Sequence, residues 1–175
     1  RSQITLTAGS SQALDHICTL FTLPGDAVLV EGPTYHETLQ LFRDHGLRPL
    51  QIAIDAGGIV LADLRERLVG LAAEGVRPAF LYTIPSFQNP TGITLADERR
   101  RGLLALAARH DMLVIEDDVY FDIAFEDLRP AGRVQRQFET GQLGAVGLGH
   151  RLGQLRGPIV QIGEITFLVG LETFS

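Results

Sequence analysis

The sequence contains no lysine, because the 15 residues counted as lysine or arginine are all arginine. A protein needs a side-chain amine to form a Schiff base with a carbonyl compound. These 175 residues therefore lack the group on which lysine-based covalent catalysis depends. For that reason we predict no catalytic residue within the chain.

Cysteine and long apolar runs are almost as scarce. The single cysteine, Cys18, cannot form an internal disulfide bond, and its place on the apolar side of a helical pattern predicts a buried, inert thiol. A reducing compartment fits this usage. The most apolar late stretch, 159–171, is interrupted by Gln161 and Glu164, and the sequence begins without a charged and then apolar leader. We expect a soluble, cytoplasmic protein without a membrane partner.

Positive charge is in the minority, since the formal net charge is −6. An acidic surface repels a phosphate backbone, so we expect no nucleic-acid partner for this segment. The one dense basic run, Arg99–Arg101, falls in a helix-like segment, and we interpret it as a solvated helix face. Apolar residues make up 45% of the chain and charged residues 21%, which is typical of a globular domain with a substantial core.

Apolar periodicity predicts helices that alternate with strands. Helical spacing covers 10–22, 36–44, 61–74 and 94–110, and short apolar runs at 27–30, 49–54, 79–84 and 112–115 are typical of buried strands. Serines are expected to cap the first helix and Thr94 the fourth. Helices alternating with continuous apolar strands indicate βαβ units. The predicted fold class is therefore α/β, with three layers: a mainly parallel sheet with helices on both faces.

The pattern divides the chain into three parts. Residues 1–128 form the predicted core, and 159–175 are predicted to return as one or two strands. Between them, in 129–158, glycines recur without a sustained apolar period. We interpret this middle segment as an irregular, glycine-rich insertion or, alternatively, as a misread reading frame.

Two loops carry side chains suited to a phosphorylated aromatic ligand. Small residues at 8–11 come directly before a helix, where backbone N–H groups and the hydroxyls of Ser10 and Ser11 can converge on a phosphate. An ordinary serine cap is the competing interpretation. Tyr35 follows a strand end and is placed either to lie over a flat ring or to pack in the core.

Two further strand ends carry an amide and a carboxylate. Two prolines and a glycine restrict the loop that presents Asn89, whose amide suits a phenolate oxygen. A carboxylate of the acidic group at 116–118 is suited to a protonated pyridine nitrogen. Acid pairs at strand ends also bind magnesium or cap helices, so this pattern alone leaves the choice open.

Taken together and in order, these segments resemble one family. The chain carries Gly-Ser-Ser-Gln-Ala-Leu-Asp at 9–15, Pro-Gly-Asp at 24–26, Glu-Gly-Pro-Thr-Tyr at 31–35, Gln-Asn-Pro-Thr-Gly at 88–92 and Glu-Asp-Asp-Val-Tyr at 116–120. The set resembles the fold-type I pyridoxal-phosphate-dependent enzymes, specifically the class I/II aminotransferases. It looks closest to the branch of 2-aminoadipate aminotransferases and MocR-type regulators, over about residues 4–127.

The resemblance implies pyridoxal 5'-phosphate as the cofactor and assigns residues to its ring. Tyr35 would stack on the ring. Asn89 and Tyr120 would contact its O3′ oxygen. Asp117, rather than Asp118, would meet the pyridine nitrogen.

The resemblance also assigns the phosphate contacts and implies no metal site. Ser10 and Ser11 would hold the phosphate. Thr173 would add a contact if Ser175 directly precedes the Schiff-base lysine of the family. On this view the chain is an incomplete large domain that ends one residue before that lysine.

The activity implied for the complete parent is the transfer of an amino group between an amino acid and a 2-oxo acid, in a homodimer. Without lysine the fragment itself would be inactive. Two departures from the family stand out: the distance from Asp117 to the end of the chain is long, and the small domain that supplies the substrate-binding arginine is missing. Three alternatives stay open: the effector domain of a MocR-type regulator, a lyase using the same cofactor, and an unrelated α/β binding module.

Overall fold

The computed structural model describes residues 6–125 and the backbone of 159–162 and 166–167. Its strands are β1 (Ala27–Gly32), β2 (Arg48–Asp55), β3 (Gly58–Ile59), β4 (Phe80–Thr83), β5 (Leu113–Asp117), β6 (Ile159–Ile162) and β7 (Thr166–Phe167). In this part of the chain they form one sheet in the order β3-β2-β1-β4-β5-β6-β7. The pairs among β2, β1, β4, β5 and β6 are parallel, whereas β3 and β7 run antiparallel at the two edges.

The helices of the described part cover both faces of the sheet. They are α1 (Gly9–Phe21), α2 (His36–Asp44), α3 (Leu61–Ala73) and α4 (Asp97–Arg109), and a short 3₁₀ helix (Phe121–Ile123) follows β5. Buried residues of α1 and α2 pack on one face, and those of α3 and α4 on the other. The structure thus confirms the predicted three-layer α/β architecture and its mainly parallel sheet.

Each face of the sheet has its own apolar core. Successive strand residues point to opposite faces, so Val28 and Val30 pack against α1 and α2 while Leu29 packs against α3 and α4. In β4, Tyr82 likewise packs on the side of α1 and α2, and Leu81 on the side of α3 and α4. A strand that is covered on both sides must be apolar throughout, which explains the unbroken apolar runs in the sequence.

The carboxyl ends of β1, β4 and β5 lie side by side, and we call this side of the sheet the carboxyl edge. The register pairs Val30 with Tyr82, and Thr83 with Glu116. α1 packs on the sheet and is joined to the start of β1 by residues 22–26 alone. Its 13 residues span about 20 Å, roughly the length of β1. The N-terminus of α1 therefore lies toward the carboxyl edge.

The predicted serine and threonine caps are wrong. The N-cap of α1 is Ala8, whose N–H donates to Gln12 Oε1 at 2.7 Å. The N-cap of α4 is Ala96, because that helix begins only at Asp97. The hydroxyl of Thr94 instead accepts a hydrogen bond from the backbone N–H of Phe87 at 3.2 Å, across the loop.

The interpretation of Arg99–Arg101 as a solvated face is wrong for Arg100, which is fully buried. Its guanidinium donates to the carbonyl of Leu95 at 3.2 Å and to that of Pro85 at 3.4 Å. It also lies 3.6 Å from the carboxylate of Glu116. Arg100 therefore fastens both ends of the loop after β4 and compensates a buried acid.

Helical spacing explains this correction. Residues three and seven positions apart share a helix face, and Arg100 shares one with the buried Leu103 and Ala107. Arg101 points away and is exposed, as expected. The interpretation is thus wrong at Arg100 and only partly right at Arg99, which is half-buried, because arginine was assumed to seek solvent.

The later part of the chain is described only in its strands. β6 continues the parallel sheet beside β5, and β7 pairs with β6, within the segment expected to return as one or two strands. The predicted insertion, 129–158, lies outside the described residues. The division of the chain into three parts stays a prediction.

Candidate functional site

The fold brings the loops with candidate functional side chains to the carboxyl edge. Tyr35 follows β1, Asn89 follows β4, Asp117 ends β5 and Tyr120 lies just beyond it. Because the three strands are parallel neighbours, the loops leave the sheet side by side. Open α/β sheets bind their ligands at this edge.

Asp117 has a buried carboxylate of which one oxygen is paired within the described part of the chain. The Tyr82 hydroxyl donates to its Oδ2 at 2.7 Å. Burial raises the pKa of Asp117 to about 6, although the hydrogen bond from Tyr82 acts in the opposite direction. Among the described residues, Oδ1 has no hydrogen-bond partner. A buried carboxylate oxygen requires a donor, and a protonated pyridine nitrogen would fit this one.

Asn89 and Tyr120 meet between neighbouring loops. The Asn89 amide nitrogen Nδ2 donates to the Tyr120 hydroxyl oxygen at 3.2 Å. Both side chains are half-buried, so they remain accessible from the carboxyl edge. The pair places an amide and a phenol hydroxyl where they can bind one ligand oxygen together.

Tyr35 lies at the N-terminus of α2, on the same edge. Its hydroxyl donates to Glu37 Oε2 at 2.7 Å, and its ring packs against the core beneath α1 and α2. This hydrogen bond and partial burial raise the pKa of Tyr35, with smaller contributions from the charges of Tyr120 and Asp117. Tyr35 therefore interacts electrostatically with both of these residues.

Ser10 and Ser11 occupy the first turn of α1, with Ser10 half-buried and Ser11 exposed. No hydrogen bond joins either serine to Tyr35, Asn89 or Asp117 in the part of the chain that the structure describes. Their proximity to the site follows only from the direction of α1. Thr173, the other predicted phosphate contact, lies outside the described residues.

A second buried carboxylate, Glu31, supports the loop after β4. It accepts hydrogen bonds from the Thr83 hydroxyl at 2.6 Å, the Ile84 N–H at 3.2 Å and the Gln88 amide at 3.2 Å. Burial raises the pKa of Glu31 to about 7, and the three hydrogen bonds lower it. Glu31 thus ties the end of β1 to the loop after β4.

Gln88 extends this network to the residues around Asn89. Its amide nitrogen also donates to the Pro33 carbonyl at 2.7 Å. Its amide oxygen accepts from the N–H of Thr91 at 3.1 Å and from the hydroxyl of Thr91 at 2.6 Å. Gly92 has a φ of +74°, which strongly favours glycine. These contacts fix the loop on both sides of Asn89.

Sequence reasoning missed the polar residues that support the site. Tyr82 and Thr38 were assigned only to a strand and a helix, yet the Thr38 hydroxyl donates to the Tyr82 oxygen at 3.3 Å. The sequence did contain a signal, namely polar side chains at the ends of buried strands. A buried tyrosine hydroxyl and a buried carboxylate such as Glu31 both require hydrogen-bond partners. The sequence did not reveal which partners these were.

The described residues contain neither a membrane-spanning helix nor a cluster of metal ligands. None of the described helices is long and apolar enough to span a bilayer. Among the described residues, no three histidine, cysteine or acidic side chains group together in a way that would hold a metal ion.

Several known proteins are similar in sequence to this chain. A family model for aminotransferase class I and II matches residues 1–148. Aminotransferase swnA of Metarhizium robertsii is 42% identical over 159 residues, which cover 82% of this chain and 32% of that protein. An uncharacterized HTH-type transcriptional regulator, YisV of Bacillus subtilis, is 32% identical over 163 residues, which cover 90% of this chain and 33% of that protein.

A solved structure shares the fold. The crystal structure of LysN, an alpha-aminoadipate aminotransferase of Thermus thermophilus complexed with N-(5'-phosphopyridoxyl)-L-leucine, superposes with a TM-score of 0.72 at 32% identity. The match covers 92% of this chain and 36% of that one. The chain spans about a third of the length of the relatives it matches. The sequence match and the shared fold together establish that the chain belongs to the class I and II aminotransferase family, as its motifs predicted.

Proposed function

We propose that the chain is the cofactor-binding part of a pyridoxal-phosphate-dependent aminotransferase. The whole protein would move an amino group between an amino acid and a 2-oxo acid. The observation that carries this proposal is the buried, half-paired carboxylate of Asp117 at the carboxyl edge. The solved relative LysN supports it, since its ligand is a phosphopyridoxyl derivative of an amino acid.

The residues around Asp117 would bind and orient the ring. Asp117 would accept a hydrogen bond from the protonated pyridine nitrogen and hold the proton there. Asn89 and Tyr120 would bind the O3′ oxygen, and Tyr35 would stack on the ring. When bound, pyridoxal phosphate supplies an electron sink for cleavage of bonds at the amino-acid α-carbon.

The first turn of α1 would bind the phosphate. Unpaired N–H groups and the positive end of the helix dipole favour an anion there. Ser10 and Ser11 would add hydroxyl donors, and Thr173 would contribute a further contact. Since the chain has no lysine, we propose that it holds the cofactor without a covalent bond. Transamination would then require a lysine outside these 175 residues.

The remaining assignments concern the whole protein. Its substrates would be an amino acid and a 2-oxo acid, and its assembly a homodimer. Cys18 is buried, and burial raises the pKa of its thiol to about 12, so the thiol is unreactive. A single inert cysteine fits a reducing compartment, and we propose a cytoplasmic location.

A second candidate is the effector domain of a transcription regulator. The observation that favours it is the 32% identity to the HTH-type regulator YisV. Such a domain would bind the same cofactor but act through a DNA-binding domain. Sequencing the gene upstream of Arg1 separates the two, because a winged-helix segment there would identify a regulator. A lyase with the same cofactor is distinguished by analysis of the products.

The proposal is tested by equilibrium binding of pyridoxamine 5'-phosphate, which carries an amine and needs no lysine. Its fluorescence should change saturably on titration with the chain. Pyridoxamine without phosphate should bind at least about tenfold more weakly, since charge-assisted hydrogen bonds are lost. Inorganic phosphate should compete with the phosphorylated ligand.

Two variants of α1 locate the phosphate contact. Ser11→Ala should weaken binding of pyridoxamine 5'-phosphate several-fold, whereas Thr19→Ala, an exposed position on the same helix, should not. Absence of saturable binding, or equal binding of pyridoxamine with and without phosphate, would overturn the proposed function.

A further inference from the structure

A line of buried polar side chains leads from α2 to Asp117. The Thr38 hydroxyl donates to the Tyr82 oxygen at 3.3 Å, and the Tyr82 hydroxyl donates to Asp117 Oδ2 at 2.7 Å. The exposed fractions of the three residues are 4%, 0% and 5%. This line starts on the helix beyond β1, crosses β4 and ends at the last residue of β5.

We propose that Tyr82 is a positioning residue, which holds one oxygen of Asp117 so that the other faces the ring nitrogen, and which stabilises the charged carboxylate. The inference rests on the proposed function, since it concerns how the chain prepares the carboxylate for the cofactor. Because Tyr82 is fully buried, it would act on the ligand through Asp117.

The position of the Tyr82 ring is fixed from two sides. Its backbone is paired with Val30 of β1 and with Ile115 of β5. The ring of Phe42 packs edge-on against it, with the centroids 5.7 Å apart and an interplanar angle of 83°. The hydroxyl therefore cannot follow the carboxylate if Asp117 rotates, and the hydrogen bond selects one orientation of Asp117.

The direction of each hydrogen bond also follows from chemistry. A tyrosine hydroxyl has a single proton to donate. Because Thr38 donates to the Tyr82 oxygen, that proton is directed to Asp117. A donor polarised in this way is a stronger partner for an anion than an isolated hydroxyl.

Other acidic groups face this pair from the surrounding elements. Asp118, next in the chain, raises the pKa of Asp117, in addition to the larger effect of burial. Glu31 faces Tyr82 from β1 and raises its pKa, with larger contributions from burial and from Asp117. Tyr35 faces Asp117 from the start of α2. Burial and Asp118 disfavour a charged Asp117, and the hydrogen bond from Tyr82 opposes them.

The test is a pH titration of the aspartate carboxyl carbons by ¹³C NMR, with the signal of Asp117 assigned from Asp117→Asn. In the wild-type chain Asp117 should titrate near pH 6. Tyr82→Phe should move its midpoint upward by about one unit or more, because a hydrogen bond to a charged group is lost. A midpoint that stays in place or moves downward would overturn the inference.

Two variants of Thr38 keep the test decisive if Tyr82→Phe fails to fold. Thr38→Val removes the donor to Tyr82 and should produce a smaller upward shift of the Asp117 midpoint. Thr38→Ser keeps the hydroxyl and should leave the midpoint where it is in the wild type. An unchanged midpoint in Thr38→Val together with a misfolded Tyr82→Phe would count against the inference.

Ligand binding separates positioning from a structural role. Binding of pyridoxamine 5'-phosphate should be lost as the pH falls below the Asp117 midpoint, and Tyr82→Phe should move that loss to higher pH. A merely structural role would weaken binding equally at every pH. If the wild-type chain does not bind the ligand, the proposed function fails, whereas the NMR titration still decides the role of Tyr82.

Discussion

Glu31 and Asp117 are buried carboxylates at the same edge of the sheet, yet they differ in the hydrogen bonds that they accept. Burial raises the pKa of both. The two oxygens of Glu31 accept three hydrogen bonds, one from the last residue of β4 and two from the loop after it. Asp117 accepts one, from Tyr82, and its Oδ1 has no partner among the described residues. On the proposed function, the carboxylate near the end of β1 stabilises a loop, whereas the carboxylate at the end of β5 keeps one oxygen for the ligand.

Substitution of Glu31 should produce the largest effect on stability. Glu31→Ala removes the acceptor of three buried donors and should lower the free energy of unfolding by about 3 kcal/mol. Glu31→Gln keeps an acceptor oxygen and should cost about 1 kcal/mol. Urea denaturation measures both values. Equal free energies of unfolding for the two variants would show that the hydrogen bonds to Glu31 do not stabilise the loop.

Substitution of Asp117 should affect ligand binding more than stability. Asp117→Asn should weaken binding of pyridoxamine 5'-phosphate about a hundredfold, because a charge-assisted hydrogen bond contributes roughly 1.5–3 kcal/mol. The free energy of unfolding should not fall, since the variant no longer buries a half-paired charge. Asp44→Asn, at the far, exposed end of α2, is the matched control and should leave binding intact. If Asp117→Asn lowered stability but left binding intact, Asp117 would be a structural carboxylate like Glu31 and not a ligand contact.

Stability should depend on pH through Glu31. Its pKa is raised in the folded state from 4.5 to about 7, so between these values the folded chain binds more protons than the unfolded one. The contribution of Glu31 to stability is thus fully present below about pH 4.5 and is lost as the pH rises through 7. Between pH 5 and 8, wild type should lose about 2 kcal/mol more unfolding free energy than Glu31→Gln.

Urea denaturation at both pH values provides this difference. Asp117 titrates in both proteins, so its contribution cancels in the comparison. Parallel losses in the two proteins would mean that Glu31 is already ionised in the folded chain at pH 5.

Tyr120 should give the smallest effect. Tyr120→Phe removes the hydroxyl that accepts a hydrogen bond from Asn89, and should weaken pyridoxamine 5'-phosphate binding about fivefold, since a neutral hydrogen bond contributes roughly 1 kcal/mol. Fluorescence titration checks this value. A loss as large as that of Asp117→Asn would show that the O3′ contact, and not the carboxylate, dominates ligand binding.

Much of the fold was readable from the sequence because the strands are buried on both faces. Unbroken apolar runs and helical spacing located β1, β2, β4, β5 and the four described helices to within a few residues. The two-residue β3 was missed, since so short a strand has no periodicity. The caps were misplaced because Thr94 bonds across a loop and not to its helix.

The location of candidate residues could be predicted where they end or follow a strand. That Asn89 and the acidic group at 116–118 lie at the carboxyl edge was predictable because parallel strands bring their carboxyl ends together. The choice of Asp117 within that group came from the family resemblance, and its role stays a prediction. The roles of Arg100, Glu31 and Tyr82 were not readable, because each depends on partners brought close by the fold. Composition assigns an arginine to the surface, and only tertiary packing places Arg100 in the core.

A structure of the chain with pyridoxamine 5'-phosphate bound would test the central claim most directly, since it locates the donor to Asp117. We expect the pyridine nitrogen within about 2.7–2.9 Å of Asp117 Oδ1, the usual range for a charge-assisted hydrogen bond. A ligand bound away from the carboxyl edge, or a ring nitrogen directed away from Asp117, would contradict the account.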